Sequence, residues 1–126
     1  MAFVALVTLL ILLQYFVFMM LCGKARADSG LKAPAMTGDE NFERAYRVQM
    51  NTLEQIVITL PAIWVCATYF MPLTAALLGL GFFLGRMQYA IAYRKDPTGR
   101  GPGMGIGFLC NVGLLACGLW GVISQL

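Results

Sequence analysis

The sequence predicts an all-α fold: an integral membrane bundle of four antiparallel transmembrane helices. Three observations carry that expectation. The chain is 60% hydrophobic and only 12% charged over its 126 residues, whereas a soluble domain carries about 25% charged residues. Its mean hydropathy is +0.75. Four apolar stretches recur at the length a helix needs to cross a bilayer, about 20 residues. The charged residues between them fall mainly into two links, and the remaining link has none. One domain, 1–126, is expected at this length, and short links between successive spans make antiparallel neighbours.

The first helix is expected at 2–22, where only Thr8 and Gln14 interrupt an apolar run. Its start, MAFVAL, lacks the basic residues that open a cleaved signal peptide, so it reads as a span. Gly23 to Glu40 holds Lys24, Arg26, Asp28, Lys32, Asp39 and Glu40, with Pro34 and Gly38 as breakers. This is a polar loop, and Asp39 or Asn41 is placed to cap the next helix. The second helix is expected at 42–70. Pro61 lies inside it, where membrane helices tolerate a proline and its kink. Met71-Pro72 makes an uncharged turn. The third helix is expected at 73–93, the segment RKDPTGRGPG forms a tight polar turn, and the fourth helix is expected at 104–126. Gly81 and Gly85, and Gly103 and Gly107, stand at the spacing that lets membrane helices approach closely.

Positive charge sets the orientation. Lys24, Arg26, Lys32, Arg44 and Arg47 belong to the first loop and its margin, and Arg94, Lys95 and Arg100 to the third. The second link and both tails carry no lysine or arginine. Loops one and three are therefore expected on the cytoplasmic side, with both termini outside.

Composition also removes whole classes of chemistry. The chain has no histidine, which excludes Ser-His-Asp and Cys-His catalysis and histidine metal sites. Cys22, Cys66, Cys110 and Cys117 sit in apolar runs without a CxxC pair, so they read as small buried hydrophobes and no metal site is expected. No basic run or aromatic ladder suggests nucleic acid.

The candidate site begins in NFERAYRVQMNTLEQIVITLP, residues 41–61. Arg44, Arg47, Asn51 and Glu54 follow at steps of three, four and three, which places them on one helical face. Gln55 stands one step round. Ionised groups at membrane depth are costly and seldom face lipid, so this stripe belongs against protein or a wet cavity. In the third helix Arg86, Tyr89 and Tyr93 share a face and approach the same edge. Arg100 stands in the turn that follows. Simpler readings exist: the tyrosines as an interfacial belt, Arg94 and Lys95 as topology signals, and Arg86 with Glu54 as a buried structural pair. Arginines suit carboxylates and Glu54 suits an ammonium, so the set fits a small ligand carrying both. An apolar second ligand has access from the lipid side.

At these residues the chain resembles the membrane-associated proteins in eicosanoid and glutathione metabolism, the MAPEG family. FERAYRVQMNTLEQ, and RMQYAIAY followed seven residues later by Arg100, carry the resemblance, which extends over essentially the whole chain. The branch it resembles holds the microsomal glutathione transferases and leukotriene C4 synthase, and a bacterial member, in the inner membrane, is expected. The resemblance implies a homotrimer with glutathione, the co-substrate, bound between neighbours near the cytoplasmic edge. Arg47, Asn51, Glu54, Gln55, Tyr89 and Tyr93 match glutathione contacts. Arg26 and Gln49 match contacts from the adjacent subunit, and Arg100 matches the catalytic arginine that stabilises the thiolate. Gln55 departs from the tyrosine of the leukotriene synthase. The implied activity is glutathione transfer to lipophilic electrophiles drawn from membrane lipid, with glutathione-dependent lipid hydroperoxide reduction as a second reaction. Two other readings stand beside it: a non-enzymatic lipid-binding scaffold of the same fold, and a small multidrug transporter.

Overall fold

The computed structural model describes all 126 residues, and every regular element in it is helical. Four helices, α1 (Ala2–Ser29), α2 (Glu40–Tyr69), α3 (Pro72–Lys95) and α4 (Gly101–Ile123), run in sequence, with one 3-10 turn (Pro97–Arg100) before α4. All four are long and apolar enough to cross a membrane. The middle pair organises the bundle: α2 packs on α1, α3 and α4, while α3 packs on α1, α2 and α4.

Several boundaries differ from the sequence expectation. α1 continues seven residues past Cys22, to Ser29. Its polar end contains no breaker before Gly30, and Lys24 pairs with Asp28 one turn on at 3.1 Å, a spacing that supports helix. Gly30 then ends it in the left-handed conformation, φ 75°, which glycine adopts without penalty. α3 reaches Lys95, and α4 begins at Gly101 rather than 104. The prolines of RKDPTGRGPG read as breakers, yet Pro97 and Pro102 both occupy first-turn positions, where a missing N–H costs nothing.

Asp39 caps α2 by accepting from the Phe42 N–H at 2.9 Å, with Glu40 and Glu43 in the first turn to meet the positive end of the helix dipole. The helix runs on through Pro61. One apolar core fills the half of the bundle away from the loops, where Val4, Ile11, Ile63, Cys66, Phe82 and Leu114 are buried. A smaller cluster, Phe18, Val48, Tyr89 and Ala90, sits nearer the loops. The four cysteines are unpaired thiols. Cys22 and Cys66 are buried; Cys110 and Cys117 are half-buried.

The first and third loops meet at one edge. Arg44 on α2 donates to the backbone carbonyls of Arg94 at 3.0 Å and Lys95 at 2.9 Å, and it also pairs with Glu40. These carbonyls end α3, where a cation offsets the negative end of the helix dipole. Arg94 answers with a long hydrogen bond, 3.4 Å, to Asn41 Oδ1.

Candidate functional site

The site is built where α2, the last turns of α3 and the start of α4 converge. Its centre is Tyr89, only 2% exposed. The Arg86 guanidinium lies over its ring, 4.1 Å from the centroid, and Tyr93 stacks on it at 5.5 Å. Tyr89 also lies within electrostatic reach of Arg47 and Arg100. Arg86 thus covers the phenol directly, while Arg47 and Arg100 act on it at longer range.

Arg86 is 1% exposed and has no carboxylate partner. Its Nη2 donates to Thr52 Oγ1 at 2.8 Å, its Nη1 approaches the Met104 sulfur at 3.7 Å, and its Nε has no acceptor. The simpler reading of Arg86 with Glu54 as a buried structural pair does not hold: the two do not pair. Glu54 turns instead to Arg47, whose Nη2 lies 3.1 Å from its Oε1. The two are seven residues apart on the same face of α2, so the ion pair spans two turns past Asn51. Both side chains are about half exposed. Asn51 Oδ1 and Gln88 Oε1 are buried without hydrogen-bond partners.

The other expected residues divide. Arg44 shares the stripe of Arg47 but serves the end of α3. Gln55 accepts from Asn111 Nδ2 at 3.1 Å, and Asn111 Oδ1 in turn accepts from Thr59 Oγ1 at 2.6 Å, so Gln55 ties α2 to α4. Tyr93 is half-buried beside Tyr89, and Arg100 is exposed as the residue before α4. Arg26 keeps its contacts in the first loop: it donates to the Ala35 carbonyl at 2.9 Å and lies 4.4 Å from the Phe42 ring centroid. Gln49 is half-buried and lies about 200° round α2 from Arg47. The two therefore face different sides of their helix.

One of the closely spaced glycines of the sequence fixes the geometry. A Cβ at Gly103 would fall 2.6 Å from Gly85 O and Tyr89 N, and on Gln88 Oε1 as well. Only glycine permits this approach, which brings the first turn of α4, and Arg100 before it, against the Tyr89 turn of α3. The helical spacing of Arg47, Asn51 and Glu54 passes over Thr52, which lies one step round from Asn51 on the buried side of α2.

A sequence profile of the MAPEG family matches residues 4–120. Among curated proteins, an uncharacterised protein of the cyanobacterium Synechocystis is 42% identical over 122 residues, covering 97% of this chain and 89% of that one. Human microsomal glutathione S-transferase 2 is 34% identical over 112 residues, with 89% and 74% covered. Guinea-pig (Cavia porcellus) leukotriene C4 synthase is 36% identical over 95 residues, with 75% and 63% covered.

Proposed function

The chain belongs to the MAPEG family, and from that premise we propose that it is a membrane-bound glutathione transferase acting on lipophilic electrophiles, with lipid hydroperoxide reduction by the same bound thiol. The observation that carries the reading is Arg86 laid over the buried Tyr89 ring, with Arg47 and Arg100 within electrostatic reach of the same phenol, beside an Arg47–Glu54 pair able to receive opposite charges. Likeness to microsomal glutathione S-transferase 2 over 89% of the chain supports it.

Glutathione brings carboxylates, an ammonium and a thiol. Arg47 grips a carboxylate, Glu54 takes the ammonium, and Asn51, Gln55, Tyr89 and Tyr93 fix the backbone of the peptide. A thiol of pKa about 8.5 is only a few per cent ionised at pH 7. Arg100 and the adjoining N-terminal end of α4, which carries about half a positive charge, favour the thiolate. Lowering the pKa by about two units leaves most bound glutathione ionised. The thiolate then attacks an electrophile that arrives from the bilayer, and no protein nucleophile or histidine base is required.

We assign the working assembly as a homotrimer. Arg47 and Glu54 stand half exposed on a single subunit, which membrane lipid does not tolerate. Gln49, on the far side of the same helix, then serves the site of a neighbour, together with Arg26. The site lies at the edge of the first and third loops, which we take as cytoplasmic in a bacterial inner membrane. Ion pairing of Glu54 with Arg47 weighs against cation transport, which uses a free carboxylate.

The test is Arg100→Ala, assayed in detergent for conjugation of glutathione to a chlorodinitrobenzene. The variant is expected to bind glutathione through Arg47, Asn51 and Glu54, yet to turn over about 25-fold more slowly at pH 7, the ratio of the thiolate fractions for pKa values of about 6.5 and about 8.5. Raising the pH should restore part of the rate. If the variant develops the same thiolate absorbance as the parent at neutral pH, the role given to Arg100 is wrong. Absence of any glutathione-dependent conjugation in the parent would remove the transferase reading itself.

A further inference from the structure

Apart from the Tyr89 site, an apolar trough of about 360 Å³ runs between α1 and α3, floored by α2 at Ala45 and Val48. Eleven of its thirteen lining residues are hydrophobic; the others are Gln14 and Arg94. Gln14 leaves no polar atom open to it, because its Nε2 donates to Phe83 O at 2.9 Å and its Oε1 is buried. The rim is apolar and exposed at Leu13, Val17, Met87 and Ile91. At the loop end stands Arg94, whose guanidinium makes only the 3.4 Å bond to Asn41 and no ion pair.

We propose that this trough seats one acyl chain of an anionic phospholipid, with the acidic headgroup on Arg94. Length supports this occupant. From Leu10 to Leu21 the lining of α1 rises about 16 Å at 1.5 Å per residue, close to half of a hydrocarbon core of about 30 Å. The trough is therefore one leaflet deep and ends in a cation at the level of the headgroups. Its free volume of about 360 Å³ over that length makes a narrow slot, which suits a flexible chain better than a helix about 10 Å across. Charge selects the headgroup, since basic pockets between membrane helices take anionic lipids.

The inference does not rest on the transferase reading, and its test contains no glutathione. The purified protein would be equilibrated in mixed micelles with phosphatidylglycerol or phosphatidylcholine of identical chains, and retained lipid counted by native mass spectrometry. One phosphatidylglycerol per chain is expected, held about tenfold better than phosphatidylcholine. Arg94→Gln should abolish that preference; it leaves the backbone carbonyl that Arg44 uses, so the fold is preserved. Lys95→Gln, one residue on and exposed, should change nothing. Ala90→Leu, which narrows the trough, should lower retention of both lipids. Equal retention of the two lipids, indifference to Arg94→Gln, or an equal loss in Lys95→Gln would each overturn the proposal. So would cross-linking of Ile91→Cys to a neighbouring subunit, which would show a second copy lying on the trough.

Discussion

Arg47 and Glu54 neutralise each other across two turns of α2, and neither is buried. A pair so exposed contributes little to stability, so Arg47→Ala should leave the protein folded. Its effect belongs to ligand binding: the Michaelis constant for glutathione should rise more than turnover falls. Equal falls in turnover and in kcat/KM would place Arg47 on the chemical step instead. Thr52 behaves oppositely. Its hydroxyl accepts from the buried Arg86 guanidinium at 2.8 Å, and a hydrogen bond to a charged group is worth about 1.5–3 kcal/mol. Thr52→Val should therefore lower the melting temperature in detergent by several degrees, and loosen the Tyr89 ring that Arg86 covers. An unchanged melting temperature would mean that Arg86 finds another acceptor. At this scale the sequence was half legible. Helical spacing placed Arg47 and Glu54 on one face, because both lie on one uninterrupted helix. It left open a structural pair of Arg86 with Glu54, whereas Glu54 reaches Arg47 on its own helix and Arg86 turns to Thr52 at the buried α2–α3 contact. Which of two arginines Glu54 takes depends on the rotation of α3 against α2, which no local pattern encodes.

α3 and α4 meet through glycine, and the meeting sets Arg100. Gly103→Ala forces a Cβ against the backbone of Gly85 and Tyr89. Overpacking of this kind costs about 1–3 kcal/mol, and the start of α4 must move away from α3. The variant should lose stability and turnover together. Gly105→Ala, where a Cβ meets nothing within 4 Å, is the control and should lose neither; equal loss in both would show that the contact at Gly103 is not the cause, because helix propensity favours alanine at either position. The turn before α4 is capped by Asp96, whose carboxylate accepts from the Thr98 N–H at 3.0 Å. That bond holds the Asp96 carboxyl below the usual aspartate value. A lowered pKa stabilises the turn above the ordinary value near 3.9, and the benefit fades as pH falls through the depressed one. Activity between pH 5 and 8 should therefore show no limb from Asp96, and Asp96→Asn should leave the profile in that range unchanged in shape. The glycine spacing was readable in the sequence, but not which glycine faced which. The helix ends were misread where prolines and charges suggested loops, because proline is innocuous in a first turn and Lys24 and Asp28 sustain the helix they occupy.

Four spans with both long loops at one edge were legible from hydropathy alone, since that pattern needs no knowledge of packing. The assembly was not, because a single subunit leaves its polar stripe half exposed without saying what covers it. Chemical cross-linking of the detergent-solubilised protein should give a ladder ending at three; one that stops at two would count against the trimer. Cysteines placed at Ser29 and Thr98 should be labelled from one side of the membrane, and those at Ser124 and Leu126 only from the other. Arg44, tied to the last carbonyls of α3, belongs to an arrangement in which every lysine, arginine, aspartate and glutamate lies between Glu54 and the loop edge or beyond it. The opposite face, with its two termini and the Phe70-Met71 turn, carries no ionised side chain. With the loop edge cytoplasmic, as proposed, the link between α2 and α3 is the one connection between helices that must cross during biosynthesis, and it carries no charge. The α2–α3 pair can enter the bilayer as a hairpin led by that uncharged tip, while every charged side chain stays on the side where the ribosome left it.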